Sequence, residues 1–307
     1  MSIESKYIWM DGKLVPYDQA TVHFLTSGFH YGIGVFEGIR CYQTERGPAI
    51  FRLREHMHRL IASAHILGFK NLAYSESDLS AAAIELVRAN QFSACYIRPL
   101  IYLSNPKMNL SIDSGIAKIG IACWEWGNIY GDHIQKGVRA NISSFTRLHP
   151  NIAMTKAKIS GNYVNSVLAK TESERLGFDE AILLDPQGNV AECTGENLFI
   201  VRNNVIYTTP LASILEGITR DTLIILAGDF GIPVHEKLFG RDMLYTADEV
   251  FVCGTAAEVV AVCEIDFRPI ASGTIGPITH SLQSAFHQVV NGLHPRSGEW
   301  LQHVYAD

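Results

Sequence analysis

The chain has 307 residues, a formal net charge of -6 and a hydrophobic fraction of 47%. This length predicts two domains rather than one, and the apolar content excludes a disordered chain. The negative charge, together with the absence of any Lys/Arg run in the sequence, argues against nucleic acid or an anionic membrane surface as a partner.

The N-terminal segment, MSIESKYIWMDGKLVPYDQA, interrupts every apolar run with a charge. No predominantly apolar stretch of the sequence reaches the roughly 18 residues that a membrane-spanning helix needs, so we expect no membrane partner and a cytoplasmic location. The six cysteines stand singly, mostly inside apolar strand-like segments. This distribution predicts buried free thiols in a reducing compartment.

The first part of the chain combines helical and strand-like segments. Residues 53–67 carry apolar side chains at helical spacing and stop before Gly68, and a second helix is expected from about Ser77. The strand-like runs cover residues 35–44, 94–103 and 117–126. We therefore expect a small N-terminal α/β domain over residues 1–126.

A glycine-bounded polar stretch at 127–137 is predicted to connect the two domains. Beyond it, strand-like runs alternate with helices near 163–176 and 219–230. The segments DPQGN and VRNNV are typical of hairpin turns between strands. Residues 138–307 are therefore predicted to form a larger mixed domain, and the fold class of the whole chain is α+β.

The sequence contains two segments that partly match known motifs, a glycine-rich nucleotide loop and a pair of histidines, but the spacing of each differs from that of the motif. HYGIGVFEG, residues 30–38, has the spacing G-x-G-x-x-x-G and lacks a strand–turn–helix frame with a later acid, which disfavours a dinucleotide site. His56 and His58 stand two apart on a predicted helix, so their side chains point in different directions. We therefore expect no metal site there.

TKAKISGNYVNS, residues 155–166, places Lys156 and Lys158 directly before a small polar turn and a predicted helix. Most lysines in such a position are solvated. A desolvated lysine can instead form an imine with a carbonyl, above all with pyridoxal phosphate. That cofactor also needs an anion site for its phosphate, a carboxylate at its ring nitrogen and a donor near its phenolic oxygen.

Candidates for these additional groups occur later in the chain. Gly217, Ile218 and Thr219 open a predicted helix, whose free N–H groups and dipole favour an anion, although an ordinary Thr N-cap is an equal interpretation. The turn CGTAAE at 253–258 follows a predicted buried strand and could add donors. Glu192, predicted in a glycine-containing turn before a strand, could pair with a pyridinium, although turn glutamates usually face solvent.

Two strands carry candidate pocket side chains. Alternation along CYIRPLIY sends Tyr96 and Arg98 to one face, and Pro99 predicts that this strand lies at an edge. Alternation along FEGIRCY groups three further residues on one face, Phe36, Gly38 and Arg40. An arginine among aromatic side chains suits a pocket that takes both an apolar and a negatively charged group.

The segments AKISGNY, ECTGENLF, LEGITRD and CGTAAE, in this order and spacing, resemble the signatures of the fold-type IV pyridoxal-phosphate enzymes. With HYGIGVFEGIRCY, EHMHRL and YIRPLIY upstream, residues 6–285 are similar to the branched-chain amino-acid aminotransferases. The resemblance implies the two-domain fold of D-amino-acid aminotransferase, pyridoxal 5'-phosphate as cofactor, and small amino and keto acids as substrates. It also implies a homodimer or a higher homo-oligomer.

The resemblance also implies residue roles. Lys158, immediately before the x-x-G-N-Y run, matches the Schiff-base lysine, Tyr163 the partner of the phenolic oxygen, and Glu192 the carboxylate at the ring nitrogen. The positions that match the phosphate site are Arg59, Ile218, Thr219 and Thr255. The positions that match the α-carboxylate site are Tyr96, Thr255, Ala256 and Ala257. The positions assigned to the side-chain pocket are Tyr31, Phe36, Trp126 and Ala257, together with Gly38, Arg40 and Arg98 from the strand alternation.

The implied reaction is ping-pong transfer of an amino group from leucine, isoleucine or valine to 2-oxoglutarate, with Lys158 as general acid and base. D-amino-acid aminotransferase, (R)-amine transaminase and aminodeoxychorismate lyase share the same cofactor frame and are alternatives, although YIRPL with YGIGVFEGIR favours the branched-chain type. Alternatives from other classes are a binding protein with an idle Lys158 and a dinucleotide oxidoreductase. The loop Ser104–Asp113 keeps Met108 but departs from the family's glycine-rich pattern, so it does not define the preferred substrate.

Overall fold

The computed structural model of the chain describes residues 5–104, 108–127, 130–131 and 136–305. The chain divides into two compact units, which are described separately. Unit 1 comprises residues 1–126, 157–162 and 289–307, and unit 2 comprises residues 127–156 and 163–288. Residues 128–129 and 132–135 of the expected connection lie outside the described residues, and the domain boundaries at 126 and 138 stay a prediction.

Unit 1 contains one antiparallel sheet and short to medium helices. The strands are β1 (Tyr7–Met10), β2 (Lys13–Pro16), β3 (Gly34–Phe36), β4 (Ile39–Thr44), β5 (Gly47–Phe51), β6 (Cys95–Ser104), β7 (Ile116–Trp124) and β17 (Leu301–His303). The helices are α1 (Ser27–Tyr31), α2 (Leu53–Leu67), α3 (Glu76–Asn90) and α8 (Ser297–Trp300). The strand order is β17-β5-β4-β6-β7-β1-β2, and β3 also pairs with β6.

Helix α2 has the bounds expected from its apolar periodicity. Gly68 ends it in the left-handed region, with φ of +100°, where glycine has no steric penalty. Helix α3 begins one residue earlier than expected, because Ser75 and Asp78 form a reciprocal capping box. Both helices bury leucines in the core of the unit, where each buried leucine contributes about 1.5 to 3 kcal/mol.

The prediction that β6 lies at the edge of the sheet is wrong. Strand β7 pairs with one side of β6 from Tyr96 to Ser104, while β3 and β4 pair with its other side at separate positions. Pro99 faces the break between β3 and β4, where its carbonyl accepts a hydrogen bond of 3.0 Å from the Glu37 N–H. The N–H that proline lacks therefore falls where no ladder bond would be made.

Unit 2 contains one mixed sheet with helices packed against it. The strands are β8 (Val138–Ile142), β9 (Glu180–Leu184), β10 (Val190–Cys193), β11 (Asn197–Arg202), β12 (Val205–Thr208), β13 (Val234–Glu236), β14 (Glu249–Gly254), β15 (Glu258–Ile265) and β16 (Arg268–Pro269). The helices are α4 (Tyr163–Arg175), α5 (Ile218–Asp229), α6 (Arg241–Tyr245) and α7 (Pro277–Val290). The strand order is β10-β9-β8-β15-β14-β11-β12-β13, and β16 pairs with β15.

Both predicted hairpin turns of unit 2 are confirmed. Asp185 accepts backbone N–H bonds from Gln187 and Asn189 in the turn between β9 and β10. Asn203 and Asn204 have φ of +51° and +60° between β11 and β12, as a tight hairpin turn requires. The antiparallel sheet of unit 1, the mixed sheet of unit 2 and the helices of both units confirm the α+β class.

Two general features follow from the described residues. All six cysteines are buried and free, as their apolar surroundings predicted. Over the described part of the chain, none of the helices has the length and apolar character needed to cross a membrane.

Candidate functional site

Lys158 lies in the short segment Ala157–Asn162, which belongs to unit 1. Its N–H donates to Ser63 Oγ at 3.1 Å, and its carbonyl accepts from the Phe36 N–H at 3.0 Å. The Lys158 Nζ lies 5.1 Å from the centroid of the Phe36 ring. The lysine backbone is therefore tied to α2 on one side and to β3 on the other, with its amine beside an aromatic ring.

Gly161, in the turn after Lys158, lies close to Gly32 at the end of α1. The Gly161 N–H donates to the Gly32 carbonyl at 3.1 Å. A Cβ on Gly32 would lie 2.8 Å from Gly161 Cα, and Gly32 has φ of +66°, where a side chain is strained. This close approach explains why glycines occur in both HYGIG and SGNY.

Lys156 has a different environment in unit 2. Its Nζ lies 3.0 Å from Glu216 Oε1 and donates to the Leu211 carbonyl. The Lys156 amine is thus already bound by a carboxylate and a carbonyl, which makes it less available as a nucleophile. The surroundings therefore favour Lys158 over Lys156 as the reactive amine.

Arg98 lies among aromatic rings on β6. Its guanidinium carbon is 4.8 Å from the centroid of Phe36, 5.3 Å from that of Tyr96 and 5.9 Å from that of Trp124. Its Nη2 donates to Tyr96 Oη at 3.3 Å. Its Nε is buried and has no hydrogen-bond partner among the described residues. Buried donors are nearly always paired, so this nitrogen is available to an acceptor from a water molecule or a ligand.

The neighbours predicted by strand alternation lie around Tyr96. A Cβ on Gly38 would lie 1.9 Å from Tyr96 Oη, so only glycine leaves room for this phenol. The Trp126 ring packs edge-on against Tyr96 at 4.5 Å, and Arg40 Nη2 donates to the Trp126 carbonyl at 3.3 Å. The structure thus brings these four residues together.

Tyr31 lies outside this arrangement. Its side chain is exposed, and its hydroxyl donates to the Met108 carbonyl at 3.3 Å. Residues 105–107 of the atypical Ser104–Asp113 loop lie outside the described residues. The side-chain pocket role of Tyr31 therefore stays a prediction.

The Arg59 side chain is only 13% exposed and is paired with a buried carboxylate. Its Nε and Nη2 donate to Glu37 Oε1 and Oε2 at 2.6 and 2.8 Å, and His56 Nδ1 lies 2.8 Å from Glu37 Oε2. Burial acts to raise the pKa of Glu37, but the Arg59 charge and the hydrogen bonds bring that pKa far below its ordinary value. Glu37 is therefore an ionised, fully buried carboxylate.

The prediction that Glu192 lies in a turn is wrong. The structure places it in β10, because its neighbours are apolar and buried and the strand pairs with β9. Its Oε2 accepts from Asn197 Nδ2 at 3.2 Å and from the Leu215 N–H at 3.3 Å. Arg147 Nε lies 2.6 Å from its Oε1 as an ion pair, although the N–H is not aimed along a hydrogen bond. Glu192 is thus a nearly buried carboxylate held from three directions.

The N-terminus of α5 is next to this carboxylate group. Gly217 is the N-cap residue, and no side chain caps it. A Cβ on Gly217 would lie 1.9 Å from Asn197 Oδ1, so glycine is required for this close approach. Ile218 and Thr219 occupy the first turn and are nearly buried. Their backbone N–H groups at the positive end of the helix are suited to an anion.

Thr255, Ala256 and Ala257 connect β14 to β15, and Ala257 is buried. This turn lies next to the turn that follows Glu192. A Cβ on Gly254 would be only 3.1 Å from the Gly195 carbonyl oxygen. Tyr163 is the first residue of α4 and is half-buried.

A second buried polar group lies in unit 2. The Tyr130 hydroxyl is 2.8 Å from Glu180 Oε2 and 3.2 Å from Glu196 Oε1, and Lys170 Nζ is 2.7 Å from Glu180 Oε2. Burial and the Glu180 charge raise the pKa of Glu196 to about 8. One of the two carboxyls therefore keeps a proton near neutral pH.

Sequence reasoning missed four residues that support this candidate site: Glu37, Ser63, Arg147 and Asn197. Glu37 and Asn197 lie inside the quoted motifs HYGIGVFEGIRCY and ECTGENLF. A polar side chain next to apolar residues in such a motif is a signal that could have identified both. Ser63 and Arg147 show no local signal, because their partners are distant in sequence. Among the residues that the structure describes, no group of three or more His, Cys, Asp or Glu could hold a metal ion.

The sequence and the structure of this chain match those of known proteins, and the matches agree with one another. Residues 34–265 match the family described as amino-transferase class IV. A branched-chain-amino-acid aminotransferase of Pseudomonas aeruginosa is 45% identical over 294 residues, which cover 95% of each chain. The solved T.th. branched-chain amino acid aminotransferase complexed with N-(5'-phosphopyridoxyl)-L-glutamate has a TM-score of 0.94 at 44% identity, covering 99% of this chain and 100% of that one. The same enzyme complexed with 4-methylvaleric acid has a TM-score of 0.92 at equal identity and coverage.

Proposed function

Since the chain belongs to the class IV aminotransferase family, we propose that it transfers amino groups from leucine, isoleucine or valine to 2-oxoglutarate, with pyridoxal 5'-phosphate as cofactor. Family membership confirms the resemblance inferred from the seven collinear motifs and its fold-type IV architecture. The names of the relatives and the ligands of the solved neighbours support this substrate class.

The observation that carries the proposal is the environment of Arg98. An apolar side chain can pack against the aromatic rings around it, while the buried, unpaired Nε can donate to the γ-carboxylate of glutamate. The T.th. enzyme, a relative at 44% identity, was solved with a glutamate adduct and with an apolar branched acid. One pocket with both chemistries meets the requirements of a branched-chain aminotransferase.

The donor set fits pyridoxal phosphate. The uncapped first turn of α5, at Gly217 to Thr219, suits the phosphate, and the nearly buried, ionically paired Glu192 suits a pyridinium nitrogen. Tyr163 and Arg59 are proposed to bind the phenolic oxygen and the phosphate. Thr255 is proposed to add a hydroxyl to the phosphate site.

The cofactor, when bound, supplies the carbonyl that receives the amino group and an electron sink for the substrate Cα. Lys158 Nζ is proposed to take the proton from Cα and to return it on the opposite half-reaction. Tyr96 and the turn from Thr255 to Ala257 are proposed to bind the α-carboxylate. Their hydroxyl and backbone donors would orient the Cα–H bond toward the lysine.

We also propose that the chain forms at least a homodimer. Helix α4 exposes Val164, Val167 and Leu168, which are 62%, 61% and 47% exposed and share one helical face. In unit 1, Phe24 and Phe29 are also exposed. Exposed apolar groups such as these, each within its own unit, favour association.

A cytoplasmic location is part of the same proposal. Buried free thiols are typical of proteins that act in a reducing compartment.

The test is a scan of half-reactions. The pyridoxal form is mixed with each L-amino acid, with D-alanine and with a chiral (R)-amine, and the cofactor absorption is followed. Conversion by leucine, isoleucine, valine and glutamate, and not by D-alanine, is expected. Conversion by D-alanine or by the (R)-amine alone would replace the proposal with one of the two alternative activities.

Borohydride reduction followed by peptide mapping locates the reactive amine. The pyridoxyl label is expected on Lys158, and Lys158→Ala is expected to abolish labelling. Lys156→Ala is the matched control, two residues away, and it should still be labelled. A label on Lys156 in the unmodified protein would contradict the assignment.

A further inference from the structure

Glu37 lies in the short connection between β3 and β4. Its N–H donates to the Pro99 carbonyl at 3.0 Å, and its side chain is fully buried. A buried carboxylate is costly unless it is paired and hydrogen-bonded. Glu37 has no part in the proton transfer described above, so its position needs another explanation.

Both partners of Glu37 come from α2. Arg59 binds it through two parallel N–H bonds of 2.6 and 2.8 Å, and His56 Nδ1 lies 2.8 Å from the same carboxylate. Burial lowers the pKa of His56, and the nearby charges of Arg59 and Lys158 lower it further, which outweighs the opposite effect of Glu37. His56 is therefore neutral near pH 7, and its Nδ1–H is assigned as a third donor to the carboxylate.

The same face of α2 also reaches Lys158. Ser63 lies four residues beyond Arg59, and residues at this spacing lie on one side of a helix. Its hydroxyl accepts the Lys158 N–H at 3.1 Å. One helical face thus fixes the Lys158 backbone through Ser63 and the Arg59 guanidinium through Glu37.

The two parallel hydrogen bonds from Arg59 to Glu37 restrict the rotamers of the long arginine side chain. A free arginine side chain samples many rotamers, and part of this freedom is lost whenever the side chain is ordered on a ligand. A carboxylate that holds two guanidinium nitrogens in a plane orders the side chain before the ligand arrives.

We propose that Glu37, supported by His56, is a positioning residue that holds the Arg59 guanidinium in the orientation that binds the cofactor phosphate. This inference rests on the proposed function, because it assumes that Arg59 contacts that phosphate. Glu37 and His56 themselves are not proposed to contact the substrate or the cofactor, and they act through Arg59.

The test compares two ligands that differ only in the phosphate. Apo-protein is titrated with pyridoxal 5'-phosphate and with pyridoxal, and the ratio of their affinities is measured for the unmodified protein and for Glu37→Gln. Glutamine keeps the shape but removes the charge, so the affinity for pyridoxal 5'-phosphate should fall about tenfold. The affinity for pyridoxal should change less than about twofold, since no phosphate is involved.

A double-mutant cycle with Arg59→Met shows whether Glu37 acts through Arg59. In the Arg59→Met protein, adding Glu37→Gln should leave the affinity ratio unchanged. Equal losses for both ligands, or a full effect of Glu37→Gln without Arg59, would overturn the inference. If the unmodified apo-protein bound neither ligand, the proposed function itself would fail.

Histidine variants keep the test decisive if Glu37→Gln does not fold. His56→Gln should lower the affinity ratio in the same direction by a few-fold, because it removes one support of the carboxylate. His58→Gln is the matched control on the same helix. His58 is 72% exposed and pairs with Glu76. A ratio changed by His58→Gln and not by His56→Gln would refute the positioning role.

Discussion

Arg98→Met separates the two chemistries that we propose for one pocket. Methionine has a similar length, is flexible and packs well against aromatic rings, so it can keep the contacts with Phe36, Tyr96 and Trp124. It removes the charge and the unpaired Nε donor. The change therefore deletes the binding partner of a γ-carboxylate and keeps an apolar wall for leucine.

The expected magnitude follows from the bond that is lost. A hydrogen bond to a charged group contributes about 1.5 to 3 kcal/mol, which corresponds to about a 10- to 100-fold change in rate. The glutamate and 2-oxoglutarate half-reactions should slow by this factor in Arg98→Met. The leucine half-reaction should change by less than about threefold, because a volume-conserving swap beside an apolar ligand costs little.

Single-turnover measurements provide the assay. The pyridoxal form is mixed with leucine or glutamate, the pyridoxamine form is mixed with 2-oxoglutarate, and the change in cofactor absorption is timed at several substrate concentrations. Equal losses for leucine and glutamate would refute the dual role. Arg98 would then serve to brace Tyr96, and Arg40, which already bonds the Trp126 carbonyl, would become the candidate for the γ-carboxylate.

Other features of the structure give expected outcomes of their own. Gly38→Ala should lower leucine turnover at least about tenfold, since its Cβ would meet a phenol oxygen at 1.9 Å, whereas Gly120→Ala, with its nearest atom at 3.9 Å, should remain active in the same steady-state assay. Because the pKa of Glu196 is raised to about 8 in the folded protein, the native state keeps a proton that the unfolded chain releases at lower pH. The free energy of unfolding should therefore fall by about 2 kcal/mol between about pH 6 and pH 8, and urea titrations should show that Glu196→Gln removes this fall. Val167→Arg should weaken self-association in sedimentation experiments, whereas Leu293→Arg, at an equally exposed leucine outside α4, should not; an active monomer of the unmodified protein would contradict the dimer.

Local signals made parts of the fold predictable. The bounds of α2 and the two asparagine-containing hairpin turns follow from capping and turn chemistry, which act within a few residues. The order of the motifs predicted the family. The roles of Lys158, Tyr163 and Glu192 depend on that family and stay predictions.

The errors and omissions have a different physical origin. Pro99 predicted an edge strand, but its missing N–H falls at a break between two other strands, which is set by tertiary pairing. Strand β10 is too short to show a period of two, so Glu192 was expected in a turn. Arg59 and Glu37 are 22 positions apart in sequence, and nothing local indicates that β3 packs on α2.

Unit 1 is built from three separate stretches of the chain, and this affects the order in which it can be completed during synthesis. Strand β17, at residues 301–303, pairs with β5, and Val304 is fully buried in the core of this unit. Until the ribosome releases these residues, β5 presents an unpaired strand edge and the core has an open gap. A nascent chain that stops after the first 126 residues therefore has most of the sheet and not its closing strand. Residues 301–304 are therefore needed to complete the sheet and the core of this unit.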